Sequence, residues 1–112
     1  MNLRKDRRAQ IECPVSFTGD NLSGEGSTYN VATQGCAIRS RTYLAPGVYL
    51  ALRIEFPGNP APLSVEMAAV RWPHQSEFGL YFVAMEESER DRLRRILGKM
   101  EGAAGVAEDR SS

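Results

Sequence analysis

The sequence has few of the residues that enzyme active sites and metal centres usually require. It contains one histidine and two cysteines in 112 residues, with neither a Cys-x-x-Cys spacing nor a cluster of Cys and His. Such clusters supply the ligands of most protein metal sites, so no metal is expected. A nucleophile next to a general base is not apparent either, which argues against covalent catalysis. The sequence therefore predicts neither an enzyme nor a cofactor-dependent protein.

Long apolar segments and a net charge are also absent. No stretch approaches the roughly 18 apolar residues of a membrane-spanning helix. The N-terminus is charged and lacks the apolar core of a secretory signal, so a cytoplasmic protein without a membrane span is expected. The 14 basic and 14 acidic residues balance. A nucleic acid polymer is not an expected partner, because a general binder of that kind needs a net basic face.

Positive charge is nevertheless concentrated near the N-terminus. Arg4, Lys5, Arg7 and Arg8 lie within five positions, with only Asp6 between them. A guanidinium group binds phosphate through two parallel hydrogen bonds and can also stack on a purine ring. This cluster can therefore bind a small anionic ligand even though the whole chain is neutral. The alternative is a solvated basic arm that binds nothing.

Alternating apolar and polar residues predict a small β-rich domain. Strands are expected at residues 11–17, 27–32, 36–39, 48–56, 63–72 and 78–82. Pro14 cannot donate a ladder hydrogen bond, so the first strand is expected at an edge or at a bulge. The Gly-rich segment 19–26 is expected to be a turn, and a slip in the alternation before Val70 and Trp72 predicts a β-bulge. Six short strands separated by turns favour a small antiparallel barrel.

The apolar residues that follow the last strand recur with the helical period. Leu93, Ile96, Leu97 and Met100 form one apolar stripe, and the basic residues among them are expected on the solvent face. The helix is expected to end near Lys99 and to cover one open end or side of the barrel.

These patterns divide the chain into three parts. A flexible basic arm is expected over residues 1–9, the barrel with its helix over 10–99, and a disordered tail over 101–112. Cys13 and Cys36 each fall in a predicted strand, so they are expected to be small buried hydrophobes and not the halves of a disulfide.

Four short motifs follow one another along the chain. They are R-x-x-x-R at 4–8, N-x-A-x-x-G at 30–35, V-x-W at 70–72 and G-x-x-F at 79–82. In this order and spacing the sequence resembles a PilZ domain, the bacterial receptor module for cyclic di-GMP, over residues 3–98. The resemblance implies a six-stranded antiparallel split β-barrel with a C-terminal α-helix. It also implies a receptor or adaptor and not an enzyme.

The resemblance implies roles for individual residues as well. Arg4 and Arg8 match the arginines that bind the phosphates and a guanine of cyclic di-GMP in the family. Asn30 matches the position that hydrogen-bonds a guanine, although Asn commonly closes turns too. Gly35 matches the glycine that lets the backbone turn beneath the ligand. Ala32 lies where the family usually has Ser, and its methyl group cannot donate a hydrogen bond.

Further expectations concern the surroundings of this site. Arg7 and Ala32 are additional candidates for ligand contact, and Trp72 is expected in the core near the site. Leu3 precedes the first motif arginine and cannot stack on a second ligand as an arginine there would. One bound cyclic di-GMP is therefore favoured over an intercalated pair.

Two functions are consistent with the resemblance. In the first, the chain is a cyclic di-GMP receptor in bacterial second-messenger signalling, for example in motility or biofilm formation. Its basic arm closes over the ligand and signals to an unidentified protein partner. In the second, Ala32 marks a degenerate PilZ adaptor that no longer binds nucleotide and acts through protein contacts in motility or pilus assembly.

Overall fold

The computed structural model describes the backbone of residues 8–111 and the side chains of residues 8–100. The elements there are β1 Arg8–Ala9, β2 Pro14–Thr18, β3 Ser23–Ala32, β4 Gly35–Ser40, β5 Tyr49–Ile54, β6 Leu63–His74, β7 Glu77–Ala84 and α1 Glu87–Ser111. Six strands form a closed antiparallel barrel in the order β3–β2–β5–β6–β7–β4, because β4 pairs back onto β3. The predicted six-stranded antiparallel barrel with a C-terminal helix is confirmed.

The interior of the barrel is filled by apolar side chains, most of them from β2, β4, β5, β6 and β7. Burial alternates residue by residue along β2 and β5, where the inward side chains include Val15, Phe17, Leu52 and Ile54. Full burial of a side chain of this kind contributes about 1.5–3 kcal/mol. This alternation confirms the strands that the sequence predicted in these two regions.

The first predicted strand is interrupted, and the buried side chain of Thr28 closes the interruption. Its hydroxyl accepts a hydrogen bond from the amide of Cys13 at 2.9 Å and donates one to the carbonyl oxygen of Ile11 at 2.7 Å. β2 begins only at Pro14, and the first position of a strand tolerates a residue without an N–H group. The predicted edge position was wrong, because β2 pairs with β3 on one side and with β5 on the other. The alternative of an irregularity is present, since the register against β3 shifts by one residue between Ala9 and Pro14.

The last two residues of the predicted arm form β1. Arg8 and Ala9 continue along the same side of β3 as β2 does, where they pair with Ala32 and Val31. Residues 1–7 lie outside the described residues, so the flexibility expected of the arm stays a prediction. The structure does establish the position of Arg8, on a strand that is paired with β3.

The turn between β2 and β3 is shorter than the sequence suggested, because β3 begins at Ser23. Gly26 belongs to this strand and not to the turn. A Cβ atom on Gly26 would lie 2.2 Å from the carbonyl oxygen of Arg39, so glycine allows β3 and β4 to approach closely. The composition of residues 19–26 predicted a turn at Gly26, but this glycine lies in β3 and allows the sheet to pack closely.

The helix α1 packs on the barrel through the apolar stripe that the sequence predicted. Leu93, Ile96 and Leu97 are buried, and Met100 is half-buried against the same core. The helix contacts β1 and β6, so it lies next to the strand that carries Arg8. Within residues 8–111, no helix combines the length and the apolar character that crossing a membrane requires.

The helix continues beyond its predicted end near Lys99, and its backbone is helical to Ser111. Each glycine in a helix costs about 1 kcal/mol relative to alanine. Packing of the preceding turns on the barrel offsets such a cost, and helix propensity alone does not include this packing. The disorder expected of residues 101–112 stays a prediction.

Arg90 and Arg92 of the helix bind the barrel, although the sequence placed both on the solvent face. Arg92 donates hydrogen bonds to the carbonyl oxygens of Ala61 and of Pro62, the latter at 3.3 Å, and to the carboxylate of Glu89 at 3.2 Å. Glu89 in turn accepts a hydrogen bond from the amide of Ser64 at 2.9 Å. These contacts attach the first two turns of α1 to the start of β6 and the loop before it.

Candidate functional site

A cavity of about 340 Å³ opens on the barrel wall where β1, β3, β4, β6 and β7 come together. The sequence candidates that line it are Arg8, Asn30, Ala32 and Gly35. Arg4 and Arg7, the other candidates, lie outside the described residues. The residues found to line the cavity include two arginines and no acidic side chain. This part of the barrel wall is therefore electropositive and suited to an anion.

The pairing of β1 with β3 places Arg8 beside Asn30 and Ala32. Arg8 lies directly opposite Ala32 in the antiparallel register, and the Cβ atoms of residues that face each other in this way are about 5 Å apart. Asn30 and Ala32 share one face of β3, since Val31 between them is buried. The first two sequence motifs therefore meet at Arg8.

A β-bulge directs Asn30 toward the cavity. The register between β3 and β4 shifts between Thr28 and Asn30, which makes Tyr29 the extra residue. Thr28 and Val31 are both buried although strict alternation would place them on opposite faces. The bulge reverses the phase of the strand, so Asn30 faces outward where a regular strand would turn it inward. No feature of the sequence indicates this bulge, because Tyr29 fits a regular strand.

Gly35 allows β4 and β7 to approach closely beneath the cavity. A Cβ atom on Gly35 would lie 2.2 Å from the carbonyl oxygen of Leu80, a backbone atom of the paired strand. Positive φ angles occur instead at Gly47 and Gly58, at 86° and 78°. Close approach of two backbones is therefore the reason for glycine here, directly after the two-residue connection between β3 and β4. The role of Gly35 beneath a ligand stays a prediction.

Trp72 lies on the cavity wall and not in the core, so that expectation was wrong. Its side chain is 48% exposed. The predicted bulge before Val70 is confirmed by the register shift between Met67 and Ala68, and a second bulge, between Val70 and Trp72, brings Trp72 opposite Gly79. A Cβ atom on Gly79 would lie 2.1 Å from Cε2 of the indole, so the ring rests directly on the glycine. The opposite face of the ring is available for stacking.

The same bulge brings a second arginine to the cavity. Arg71 and Trp72 are consecutive, yet both are exposed and both line the cavity. The guanidinium carbon of Arg71 lies 5.3 Å from the centre of the Tyr81 ring, within the range of a cation–π interaction. Arg71 and Tyr81 were not predicted as site residues, although both lie at variable positions inside the V-x-W and G-x-x-F motifs.

Cys36 lines the cavity as a neutral thiol. Burial, and to a smaller extent the neighbouring Cys13, raise the pKa of Cys36 from its ordinary value of 9.0 to about 12. A thiol that keeps its proton is a poor nucleophile and a poor metal ligand. Both cysteines are buried and unpaired, as predicted. In the part of the chain that the structure describes, no three His, Cys, Asp or Glu side chains are grouped to hold a metal ion.

The combination of barrel, cavity and motifs is that of a known family. A family profile described as PilZ domain matches residues 2–99. The chain belongs to the PilZ domain family. PilZ domains are receptor and adaptor modules that bind cyclic di-GMP and act on protein partners, and they are generally not enzymes.

Solved structures share the PilZ fold with this chain at low sequence identity. The PilZ domain of CeSA from a cellulose-synthesizing bacterium is 14% identical, with a TM-score of 0.66 over 84% of this chain and 97% of that one. The Bacillus subtilis inhibitor of motility, MotI/DgrA, is 17% identical, with a TM-score of 0.73 over 90% of this chain and 52% of its own. An uncharacterized Legionella protein is 15% identical, with a TM-score of 0.58 over 88% of this chain and 97% of that one. No curated protein matches the sequence.

Proposed function

We propose that this chain is a cyclic di-GMP receptor in bacterial second-messenger signalling. The observation that carries the proposal is that Arg8, Asn30 and Gly35, from three different strands, line one electropositive cavity. These are the described residues that match the ligand-binding motifs of the PilZ family. Membership of the family supports the ligand, and the cavity supports the place where it binds. The predicted cytoplasmic location stays a prediction.

The chemistry of the cavity fits the two kinds of group that cyclic di-GMP presents. Its phosphates are anionic, and Arg8 offers a charge-assisted fork to one of them. Its guanines have flat faces, and the exposed ring of Trp72 is a surface for stacking, which is worth about 1–3 kcal/mol per base. Two or three charge-assisted hydrogen bonds of roughly 1.5–3 kcal/mol each, together with stacking of a base, can reach about −8 kcal/mol, which corresponds to a micromolar dissociation constant.

The arm is proposed to provide the remaining contacts. Arg4 and Arg7 precede Arg8 in the sequence, and four extended residues span at most roughly 14 Å. Arg4 can therefore reach a ligand that is already bound at Arg8. Closure of the arm over the ligand then changes the surface that a protein partner meets, and this change is the proposed signal.

Calorimetric titration of the purified protein with cyclic di-GMP tests the proposal. A micromolar dissociation constant is expected for the unmodified chain, and Arg8→Ala is expected to weaken it at least tenfold. Arg53→Ala is the matched control, because Arg53 is an exposed strand arginine on β5 that does not line the cavity. Absence of heat at tens of micromolar ligand, with the protein folded, contradicts the proposal. Equal losses for the two variants would mean that charge alone matters.

A second candidate function is that of an adaptor that acts through protein contacts without nucleotide. Ala32 removes a hydrogen-bond donor from the cavity, and Tyr49, Met67 and Val83 leave an apolar outer face on β5 to β7 that is 40–58% exposed. The shared fold with a protein named as an inhibitor of motility makes motility the first process in which to test such an adaptor. A folded chain that binds no cyclic di-GMP but changes motility when it is deleted would favour this alternative.

A further inference from the structure

Arg71 is held at the cavity by a local irregularity of β6. In a regular strand, consecutive side chains point to opposite faces, so either Arg71 or Trp72 would turn into the barrel. The register shift between Val70 and Trp72 allows both to lie outside, side by side, while Val70 is buried. Bulges of this kind re-aim side chains next to binding sites. Arg71 and the Trp72 ring therefore line the same cavity as neighbours on one strand.

The Arg71 guanidinium is also oriented by its neighbour. It lies over the Tyr81 ring, with 5.3 Å between its central carbon and the ring centre. The ion pairs among the described side chains are Arg39–Glu77, Arg92–Glu89 and Arg94–Asp91, and none of them involves Arg71. One face of the guanidinium is thus covered by an aromatic ring. Among the described residues its N–H groups have no hydrogen-bond partner, so they can bind a ligand in the plane of the fork.

We propose that Arg71 reads guanine, so that this receptor selects cyclic di-GMP over cyclic di-AMP. The inference rests on the function proposed above. A guanidinium fork makes two parallel hydrogen bonds to O6 and N7 of guanine, which are both acceptors. Adenine presents a donor, its N6 amino group, where guanine has O6, and that donor opposes the fork. A guanine on the Trp72 ring brings this edge to Arg71.

The test compares the affinities of four proteins for two ligands. Unmodified protein, Arg71→Ala, Arg71→Lys and Arg53→Ala are titrated with cyclic di-GMP and with cyclic di-AMP, after circular dichroism has shown that each is folded. The unmodified chain and Arg53→Ala are expected to prefer cyclic di-GMP at least tenfold. Arg71→Ala is expected to lose between tenfold and a hundredfold in affinity for cyclic di-GMP and little for cyclic di-AMP. Arg71→Lys keeps the charge but not the fork, so it is expected to lose the preference as well.

The possible failures separate the two proposals. If the unmodified chain binds cyclic di-GMP but Arg71→Ala keeps the full preference, Arg71 does not read guanine and the receptor function still stands. If Arg71→Lys keeps the preference, Arg71 contributes only charge, and the proposed reading of guanine is wrong. If the unmodified chain binds neither ligand, the receptor function fails and this inference fails with it.

Discussion

The guanidinium of Arg90 donates a hydrogen bond to the carbonyl oxygen of Thr33 at 3.1 Å. This bond joins the first turn of α1 to the connection between β3 and β4, whose flanking residues line the cavity. The same connection is held from β7, where the amide of Phe82 donates to the carbonyl oxygen of Gln34 at 2.8 Å. The N-x-A-x-x-G segment is therefore fixed by the helix on one side and by the barrel on the other. Movement of this segment on ligand binding would be transmitted to α1.

Replacement of Arg90 by alanine is expected to lower the stability of the fold. A hydrogen bond to a charged donor contributes about 1.5 kcal/mol or more, and its loss leaves the Thr33 carbonyl without this partner. Urea unfolding, followed by circular dichroism, measures the change. Arg95→Ala is the control, since Arg95 is an exposed arginine of the same helix. Equal midpoints for the two variants would mean that the bond contributes nothing to stability.

Replacement of Gly79 by alanine is expected to displace the Trp72 ring. The new methyl group would lie 2.1 Å from Cε2 of the indole, and the half-exposed ring can swing away where a backbone atom cannot. Trp72 is the only tryptophan in the chain, so its fluorescence reports this movement directly. A shift in the emission maximum and a weaker affinity for cyclic di-GMP are expected.

A double-mutant cycle checks that the effect arises from the ring. In a Trp72→Leu background the smaller side chain leaves room, so Gly79→Ala is expected to cost less stability than in the unmodified chain. The same cost in both backgrounds would show that Gly79 is needed for another reason.

The buried thiol of Cys36 is expected to make the fold less stable in alkali. Its pKa is about 12 in the folded chain and has the ordinary value of 9.0 when the chain is unfolded. Below pH 9 the thiol is neutral in both states, and its full contribution to stability is present. As the pH rises toward 12, only the unfolded chain releases the proton, and the free energy of unfolding falls by at most about 1.4 kcal/mol per pH unit.

Comparison with Cys36→Ala isolates this effect from the titration of other groups. The difference in free energy of unfolding between the unmodified chain and the variant is expected to shrink steadily between pH 9 and pH 11. A difference that stays constant over this range would mean that the folded chain exposes Cys36 to ionisation.

The barrel could be predicted because most of its strands follow simple alternation. In β5, buried Leu50, Leu52 and Ile54 alternate with exposed residues, and such a pattern leaves no other assignment. The errors lie where a distant group decides the local structure. Thr28 interrupts the first strand through its hydroxyl, and Gly26 belongs to β3 because of the Arg39 carbonyl oxygen. A single sequence does not show which distant backbone will lie beside a given residue.

The candidate site was only partly predictable for the same reason. The motif spacing identified Arg8, Asn30 and Gly35, and the structure brings these residues to one cavity. Arg71 was missed and Trp72 was placed in the core, because the outward direction of both depends on the bulge in β6. The slip in alternation before Val70 predicted the irregularity between Met67 and Ala68, but nothing in the sequence indicated the second bulge, between Val70 and Trp72, that turns Arg71 and Trp72 outward.

Ala32 offers the sharpest comparison between a receptor and an adaptor. It faces Arg8 across the β1–β3 pair and lines the cavity. A serine there keeps the strand backbone and adds one hydroxyl donor, which is worth about 1 kcal/mol when a ligand accepts the bond. For a receptor that tolerates alanine, Ala32→Ser is expected to raise the affinity for cyclic di-GMP several-fold. For a degenerate adaptor, the unmodified chain gives no heat, and the same substitution creates binding.

A second alanine-to-serine exchange shows whether the gain belongs to the cavity. Ala51→Ser is the matched control, because Ala51 is exposed on β5 and does not line the cavity. Calorimetric titration of both variants with cyclic di-GMP is expected to show a gain for Ala32→Ser alone. If Ala32→Ser binds no better than Ala51→Ser, while the unmodified chain binds well, the ligand does not reach β3. In that case the contact surface must be sought elsewhere on the barrel, and the proposed role of Asn30, which shares that face, is lost as well.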